Sequence, residues 1–200
     1  MSADALVLAT RNEGKLRELA RILSNQVVGL DAFPGAPDVP ETGATFEANA
    51  LLKARAIASY TKMPAVADDS GLCVDALNGM PGVLSARWAG RHGADQANLS
   101  LLLSQVADIP DHRRGARFVC AAALVVPADP GAGEWVVTGE VAGRLIRVPR
   151  GRGGFGYDPI FQPDGFDLTT AEMTPDAKDA ISHRGRAFRA LAPYIQGRLT

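Results

Sequence analysis

The sequence predicts an α/β fold: a mixed β-sheet with flanking helices. Three observations carry this. Short apolar runs of strand type alternate with segments of 3.6-residue apolar period through the first half of the chain. Two long β-prone runs, Ala116–Val126 and Glu134–Val148, then follow each other across the loop Pro127–Gly133, as an antiparallel pair does. Finally, 200 residues with 46% hydrophobic and 22% charged side chains suffice for one domain, 1–200, or one domain with two lobes, to bury a real core.

The elements follow in order. Ala5–Ala9 is a short strand. After Thr10-Arg11-Asn12-Glu13-Gly14-Lys15 comes a helix, because Leu16, Leu19, Ala20 and Leu23 recur at i, i+3, i+4 and i+7. Gln26–Leu30 reads as a second strand, and Ala32–Pro40, with three prolines and a glycine, as loop. Thr45–Tyr60 is a helix with Phe46, Ala50, Ala54, Ile57 and Ala58 on one face. Pro64 resets the chain. Ala65–Ala67 and Leu72–Val74 read as short strands on either side of a turn at Asp68-Asp69-Ser70-Gly71. Asn78–Gly82 is a turn, Ala94–Val106 a helix, and Arg150–Pro159 a glycine-rich loop. Ser182 can cap a last helix running to Gly197. There are no repeats and no long linker.

Composition narrows the partners. Lys and Arg number 21 against 22 Asp and Glu, a net charge of −1, which argues against a non-specific nucleic-acid binder. The excess of base is local: from Val141 onward nine basic residues face six acids, which suits a small anion, and equally a solvated mixed surface. No apolar stretch approaches the twenty residues of a membrane span. The chain passes from Met1 into its first strand without a basic leader, so a cytoplasmic protein is expected. Cys73 and Cys120 match no metal-ligand spacing and sit in apolar runs, as buried thiols do.

Four clusters can carry chemistry. In Thr10–Lys15 a strand ends and a helix begins near Asn12, so unpaired first-turn N–H groups and a positive dipole end are available to phosphate. Lys15 and Arg11 oppose that dipole, a conflict that a bound anion offsets. A plain strand–helix connection with Lys15 in water fits the same residues. No P-loop pattern is present.

Glu41, Asp68 and Asp69 form an acidic group of oxygen ligands suited to Mg²⁺. Two adjacent aspartates at a strand end repel by about 4 kcal/mol at an effective dielectric near 20, unless a cation is near. Ordinary turn chemistry also uses Asp, Ser and Gly. An aspartyl-phosphate mechanism has no support, because Asp-x-Asp is absent. Thr45, Asn49 and Lys53 share a polar stripe at i, i+4 and i+8, from which Lys53 can reach a phosphate; a surface lysine fits this spacing too.

The last cluster joins Gly153-Gly154-Phe155-Gly156-Tyr157-Asp158-Pro159 with Lys178 and Ser182-His183-Arg184. Glycines allow close backbone approach, and an aromatic ring offers a face for a base. His183 and Arg184 are donors suited to a purine O6 and N7. A hairpin loop and a simple helix cap are the bland alternatives. Phosphate donors, a metal site and base-reading groups together describe a nucleotide site.

With these motifs in place, the chain resembles the inosine triphosphate pyrophosphatase family. The resemblance rests on Thr10–Lys15, Glu41-Thr42-Gly43, Phe46-Glu47-Ala48-Asn49-Ala50 with Lys53-Ala54, Ala67-Asp68-Asp69-Ser70-Gly71-Leu72, Pro81–Arg87, Gly153–Pro159 and Ser182-His183-Arg184-Gly185. They run through nearly the whole chain in family order. The resemblance implies two lobes around a central nucleotide cleft, a homodimer, and hydrolysis of ITP, dITP and XTP to the monophosphate and pyrophosphate. It implies that Thr10, Arg11, Asn12, Glu13, Gly14, Lys15, Lys53 and Ser70 hold the triphosphate. Glu41 and Asp69 then hold Mg²⁺, with Asp69 also activating the attacking water. Phe155, Gly156, Tyr157, Asp158, Lys178, His183 and Arg184 hold base and sugar. Donors aimed at O6 reject adenine, whose amino group would leave them unpaired. Two rivals are a Maf-type pyrophosphatase acting on other nucleotides, against which Ser182-His183-Arg184 argues, and a non-catalytic nucleotide sensor, against which the acidic cluster argues.

Overall fold

The computed structural model describes residues 5–22, 27–127 and 133–197. Leu23, Gln26 and loop residues 128–132 of the sequence reading lie outside them.

The strands are β1 (Leu6–Leu8), β2 (Val27–Val28), β3 (Ala65–Val74), β4 (Gly115–Val126), β5 (Gly133–Leu145) and β6 (Phe161–Pro163). The helices are α1 (Glu13–Ile22), α2 (Phe46–Thr61), α3 (Asp95–Gln105), α4 (Pro175–Ile181) and α5 (His183–Gln196). Among the described residues the strands form one six-stranded sheet in the order β2-β1-β3-β4-β5-β6. It is mixed: β1 runs parallel to β2 (Leu6 opposite Val27) and to β3 (Val7 opposite Ala65), whereas β5 and β6 are antiparallel (Arg144 opposite Gln162). The fold is thus α/β with a mixed sheet, as the alternation of periods predicts. Beyond prediction is α4, a seven-residue helix that begins at Pro175 behind its N-cap Thr174.

The sequence reading errs most at β3. Residues 65–74 form one continuous strand, with Asp68-Asp69-Ser70-Gly71 in its middle rather than in a turn. The strand lies between β1 and β4 in the sheet, with β1 registered against its start at Ala65 and Val66. The turn-forming residue types are overridden by tertiary context, and the aspartates find charged and amide partners.

The described chain divides into two compact units. The first comprises Met1–Asp69, Cys120–Gly139 and Arg184–Thr200; the second comprises Ser70–Val119 and Glu140–His183. Each has its own core. In the first, Leu6, Leu8 and Val66 pack with Cys120, Ala122 and Leu124 and with Phe188, Leu191 and Ile195 of α5. In the second, Leu72 and Val74 pack with Leu99 and Leu102 of α3, and with Phe118, Leu145, Ile160 and Phe161. Each such large side chain, fully buried, is worth about 1.5–3 kcal/mol of transfer free energy. Cys73 and Cys120 are both buried. No helix among the described residues is long and apolar enough to cross a membrane.

Candidate active site

In the first unit, the turn into α1 is built by its own side chains. Thr10 Oγ1 accepts the Asn12 N–H (3.2 Å), and Asn12 Oδ1 accepts the Lys15 N–H (3.0 Å), capping the helix. Arg11 donates to the Ala36 carbonyl at 2.8 Å. The Lys15 ammonium does not point into water: it meets Asp68 Oδ2 at 2.8 Å. The conflict between this cation and the helix dipole is therefore met by a carboxylate of the chain itself. Arg184 lies on the same oxygen at 3.4 Å and also pairs with Glu18, all three side chains being buried. Burial alone would raise the proton affinity of Asp68. Lys15, Arg184 and Lys53 together outweigh it and hold this carboxyl far below the usual range.

Its neighbour is driven the other way. Burial, with the nearby Glu41 charge, pushes Asp69 up to about 6, although Lys53, Lys15 and the Asn49 amide act against this. Helix α2 supplies the partners. Thr45 caps it by accepting the Ala48 N–H. Asn49 and Lys53 then lie one turn apart. Asn49 Nδ2 donates to Asp69 Oδ2 at 2.9 Å. Lys53 Nζ lies 2.6 Å from Glu41 Oε1 and 3.6 Å from Asp69 Oδ1. Burial disfavours the Lys53 charge, but Asp69, Asp68 and Glu41 outweigh this and raise its pKa. Of the stripe inferred from spacing, Asn49 and Lys53 thus meet carboxylates, while Thr45 is the exposed helix cap.

In the second unit, Asp158 organises the glycine-rich loop. Its Oδ2 accepts the Phe155 N–H (2.9 Å) and a proton of Lys178 Nζ (2.7 Å), and its Oδ1 accepts from the Thr170 hydroxyl (2.7 Å). Gly154 has φ +71°, and a side chain there would collide with Asp158 Oδ2. The Gly156 N–H donates to Asp95 Oδ2 at 2.9 Å, and the buried Tyr157 hydroxyl donates to the Ser85 carbonyl at 2.9 Å. Lys178 sits 5.4 Å from the centre of the half-buried Phe155 ring. His183 stacks on Phe118 with centroids 4.9 Å apart. Ser70 is the half-buried residue of an otherwise buried β3.

The structure brings Lys15 and Arg184 onto Asp68, and Lys53 onto Glu41 and Asp69, within the first unit. It brings Phe155, Gly156, Tyr157, Asp158 and Lys178 into one bonded loop in the second. Glu13 and Gly14 lie in the first turn of α1. Sequence reasoning missed Glu18, Asp95 and Thr170, and it placed Asn49 on the polar stripe four residues before Lys53 without giving it a role. Asp95 sits in the first turn of α3, where an acid is ordinary, and Thr170 carried no signal.

Among the described residues, no three His, Cys, Asp or Glu side chains converge into a metal site of their own. Mg²⁺ does not require one: it keeps several waters, shares substrate phosphates and takes only one or two carboxylates from a protein. Glu41 and Asp69 match that donor set, all oxygen and bridged by a single ammonium. Asp69, whose raised proton affinity reflects burial and the Glu41 charge, is a group that a further cation would relieve.

The fold is a mixed α/β sheet with half-buried lysine–carboxylate pairs on one unit and a glycine–aromatic loop on the other. Comparison with known proteins makes this specific. Residues 6–194 match the Ham1 family, and the chain belongs to it. A dITP/XTP pyrophosphatase of Streptomyces coelicolor is 61% identical over 196 residues, 96% of each chain. The crystal structure of a nucleoside-triphosphatase, dITP/XTP pyrophosphatase, from Mycobacterium abscessus is 56% identical with a TM-score of 0.76, covering 94% of this chain and 99% of that one. A HAM1 protein structure from Coxiella burnetii is 40% identical with a TM-score of 0.85, covering 96% and 98%.

Proposed function

We propose that this protein is a nucleoside-triphosphate pyrophosphatase, acting as one domain, that converts dITP, ITP and XTP with water into the monophosphate and pyrophosphate. One observation carries the reading: Lys15 and Lys53 sit on Asp68, Glu41 and Asp69, within the segments whose motifs match a triphosphate and metal site. The full-length similarity to proteins named dITP/XTP pyrophosphatase supports the substrate class.

In this reading Thr10–Lys15, Lys53 and Ser70 hold the triphosphate. Glu41 and Asp69 hold Mg²⁺. When bound, the ion neutralises charge that develops on the departing pyrophosphate. Asp69 accepts a proton from the water that attacks the α-phosphorus. The bond to the bridging oxygen breaks and pyrophosphate leaves, its charge met by Lys15 and Lys53. Phe155, Gly156, Tyr157, Asp158, Lys178, His183 and Arg184 hold base and sugar, with Asp158 fixed by Phe155, Thr170 and Lys178, and Arg184 by Glu18 and Asp68. The family resemblance further supports a cytoplasmic homodimer.

The test is a panel of ITP, dITP, XTP, GTP and ATP with Mg²⁺, scored by pyrophosphate release. Turnover of the first three with little on GTP and ATP is expected. Equal rates on all five remove the specificity, and binding without pyrophosphate release makes the protein a sensor.

A further inference from the structure

We infer that Asn49 is a positioning residue that sets the spacing of the two carboxylates assigned to the metal. The inference rests on the assignment of Glu41 and Asp69 made above. Asn49 is completely enclosed, in the first turns of α2. It is not needed as the helix cap, because Thr45 already fills that role. Its amide faces two groups of opposite kind. Oδ1 accepts the Gly43 N–H at 2.7 Å, and Nδ2 donates to Asp69 Oδ2 at 2.9 Å. A backbone N–H can only donate and a carboxylate only accept, so the amide has one orientation that satisfies both.

Gly43 lies two residues after Glu41. One side chain therefore ties the loop carrying the first carboxylate to the strand carrying the second. The fit leaves no slack: a Cβ at Gly43 would lie 2.7 Å from Asn49 Oδ1 and 2.8 Å from the Ala48 Cβ. One turn further along α2, the Lys53 ammonium spans the same two carboxylates, at 2.6 Å and 3.6 Å. The helix thus holds the pair twice. The two oxygens of Asp69 become different: Oδ2 is held by the amide, and Oδ1 faces the ammonium. A cation arriving at Oδ1 finds a carboxylate whose rotation is already fixed. Partners of this kind, which orient a metal ligand from behind, change metal affinity or activity by about 10- to 100-fold when removed.

The experiment uses the full chain and two variants. In Asn49→Ala, kcat on ITP falls by about 10- to 100-fold with KM nearly unchanged, and Mn²⁺ alone, followed by electron paramagnetic resonance, binds at least several-fold more weakly. Asn49→Asp keeps an acceptor for Gly43 but turns an oxygen toward Asp69; its kcat falls as far as that of the alanine variant. Thermal unfolding establishes which variants fold, and the aspartate variant carries the test if the alanine variant does not. A folded variant with parental kcat, or one whose loss lies in KM, overturns the inference. A purely structural tie to Gly43 predicts parental kcat in Asn49→Asp. Failure of the underlying reading looks different: the parent protein binds no Mn²⁺, or Glu41→Gln leaves Mn²⁺ affinity unchanged, and the inference falls with it.

Discussion

The first unit gathers the cations Lys15, Lys53 and Arg184 against the carboxylates Glu18, Glu41, Asp68 and Asp69, most of them buried. The second unit holds Asp158 with one lysine, one backbone N–H and one hydroxyl, and shapes its loop with glycines. One region is set by charge, the other by backbone geometry. In the charged region burial, with the Glu41 charge, pushes the Asp69 carboxyl up. Asp158 ties the loop at Phe155 to Thr170 and Lys178. The regions should therefore respond to substitution in different ways: the first through charge and turnover, the second through shape and affinity.

The largest effect is expected at Asp69. Asp69→Asn should lower kcat by about 10²- to 10⁴-fold, the usual contribution of a general base. In metal-free buffer the same variant should be more stable than the parent. The folded carboxyl titrates near 6, against an ordinary 3.8. Between those values the native state binds more protons than the unfolded chain, so Asp69 costs stability progressively as pH rises from about 4 to 6 and fully above. About two pH units correspond to at most about 3 kcal/mol, so thermal melts at pH 4 and pH 7 should show a stabilisation of several degrees that is present at pH 7 and gone at pH 4. Asp68 bears the opposite sign. Its depressed carboxyl contributes stability that is complete above about pH 4 and lost on further acidification. Asp68→Ala takes away the buried carboxylate that Lys15 meets and one of the two that Arg184 meets, and should cost about 3–5 kcal/mol in denaturant unfolding.

Smaller changes test the second unit. Gly154→Ala forces a side chain into the left-handed region and against Asp158, at a cost of about 1–2 kcal/mol. Steady-state assays should place its functional loss in KM for ITP, with kcat changed less than about two-fold. A kcat-dominated loss would erase the contrast between the regions. The smallest effect belongs to the exposed Arg55–Glu134 pair, bonded at 2.6 and 2.7 Å. Arg55→Ala should shift stability by about 1 kcal/mol or less, because water screens exposed charges.

The contrast also explains what the sequence made legible. The glycine-rich loop was readable because left-handed backbone demands glycine and leaves a local mark. The charged cluster was readable in part: Lys15 at a helix start and paired aspartates after an apolar run are conflicts visible in one dimension. Their resolution was not, because Glu18 meets Arg184 across 166 residues of sequence. The turn expected at Asp68–Gly71 failed for the same reason, since Lys15, Arg184 and Asn49, which meet its aspartates, are distant in sequence. Asn49 sat in the motif that carried the family resemblance, but its role required knowing that Gly43 and Asp69 lie on either side of it. Helix α2 itself was placed to within a residue or so, because its apolar face and its Thr45 cap are both local signals.

Hydrolysis of ITP in ¹⁸O-labelled water with Mg²⁺ tests the central claim most directly, with products separated and weighed. Water attack at the α-phosphorus predicts labelled inosine monophosphate and unlabelled pyrophosphate, both absent with Asp69→Asn. Inosine diphosphate with labelled orthophosphate would contradict it.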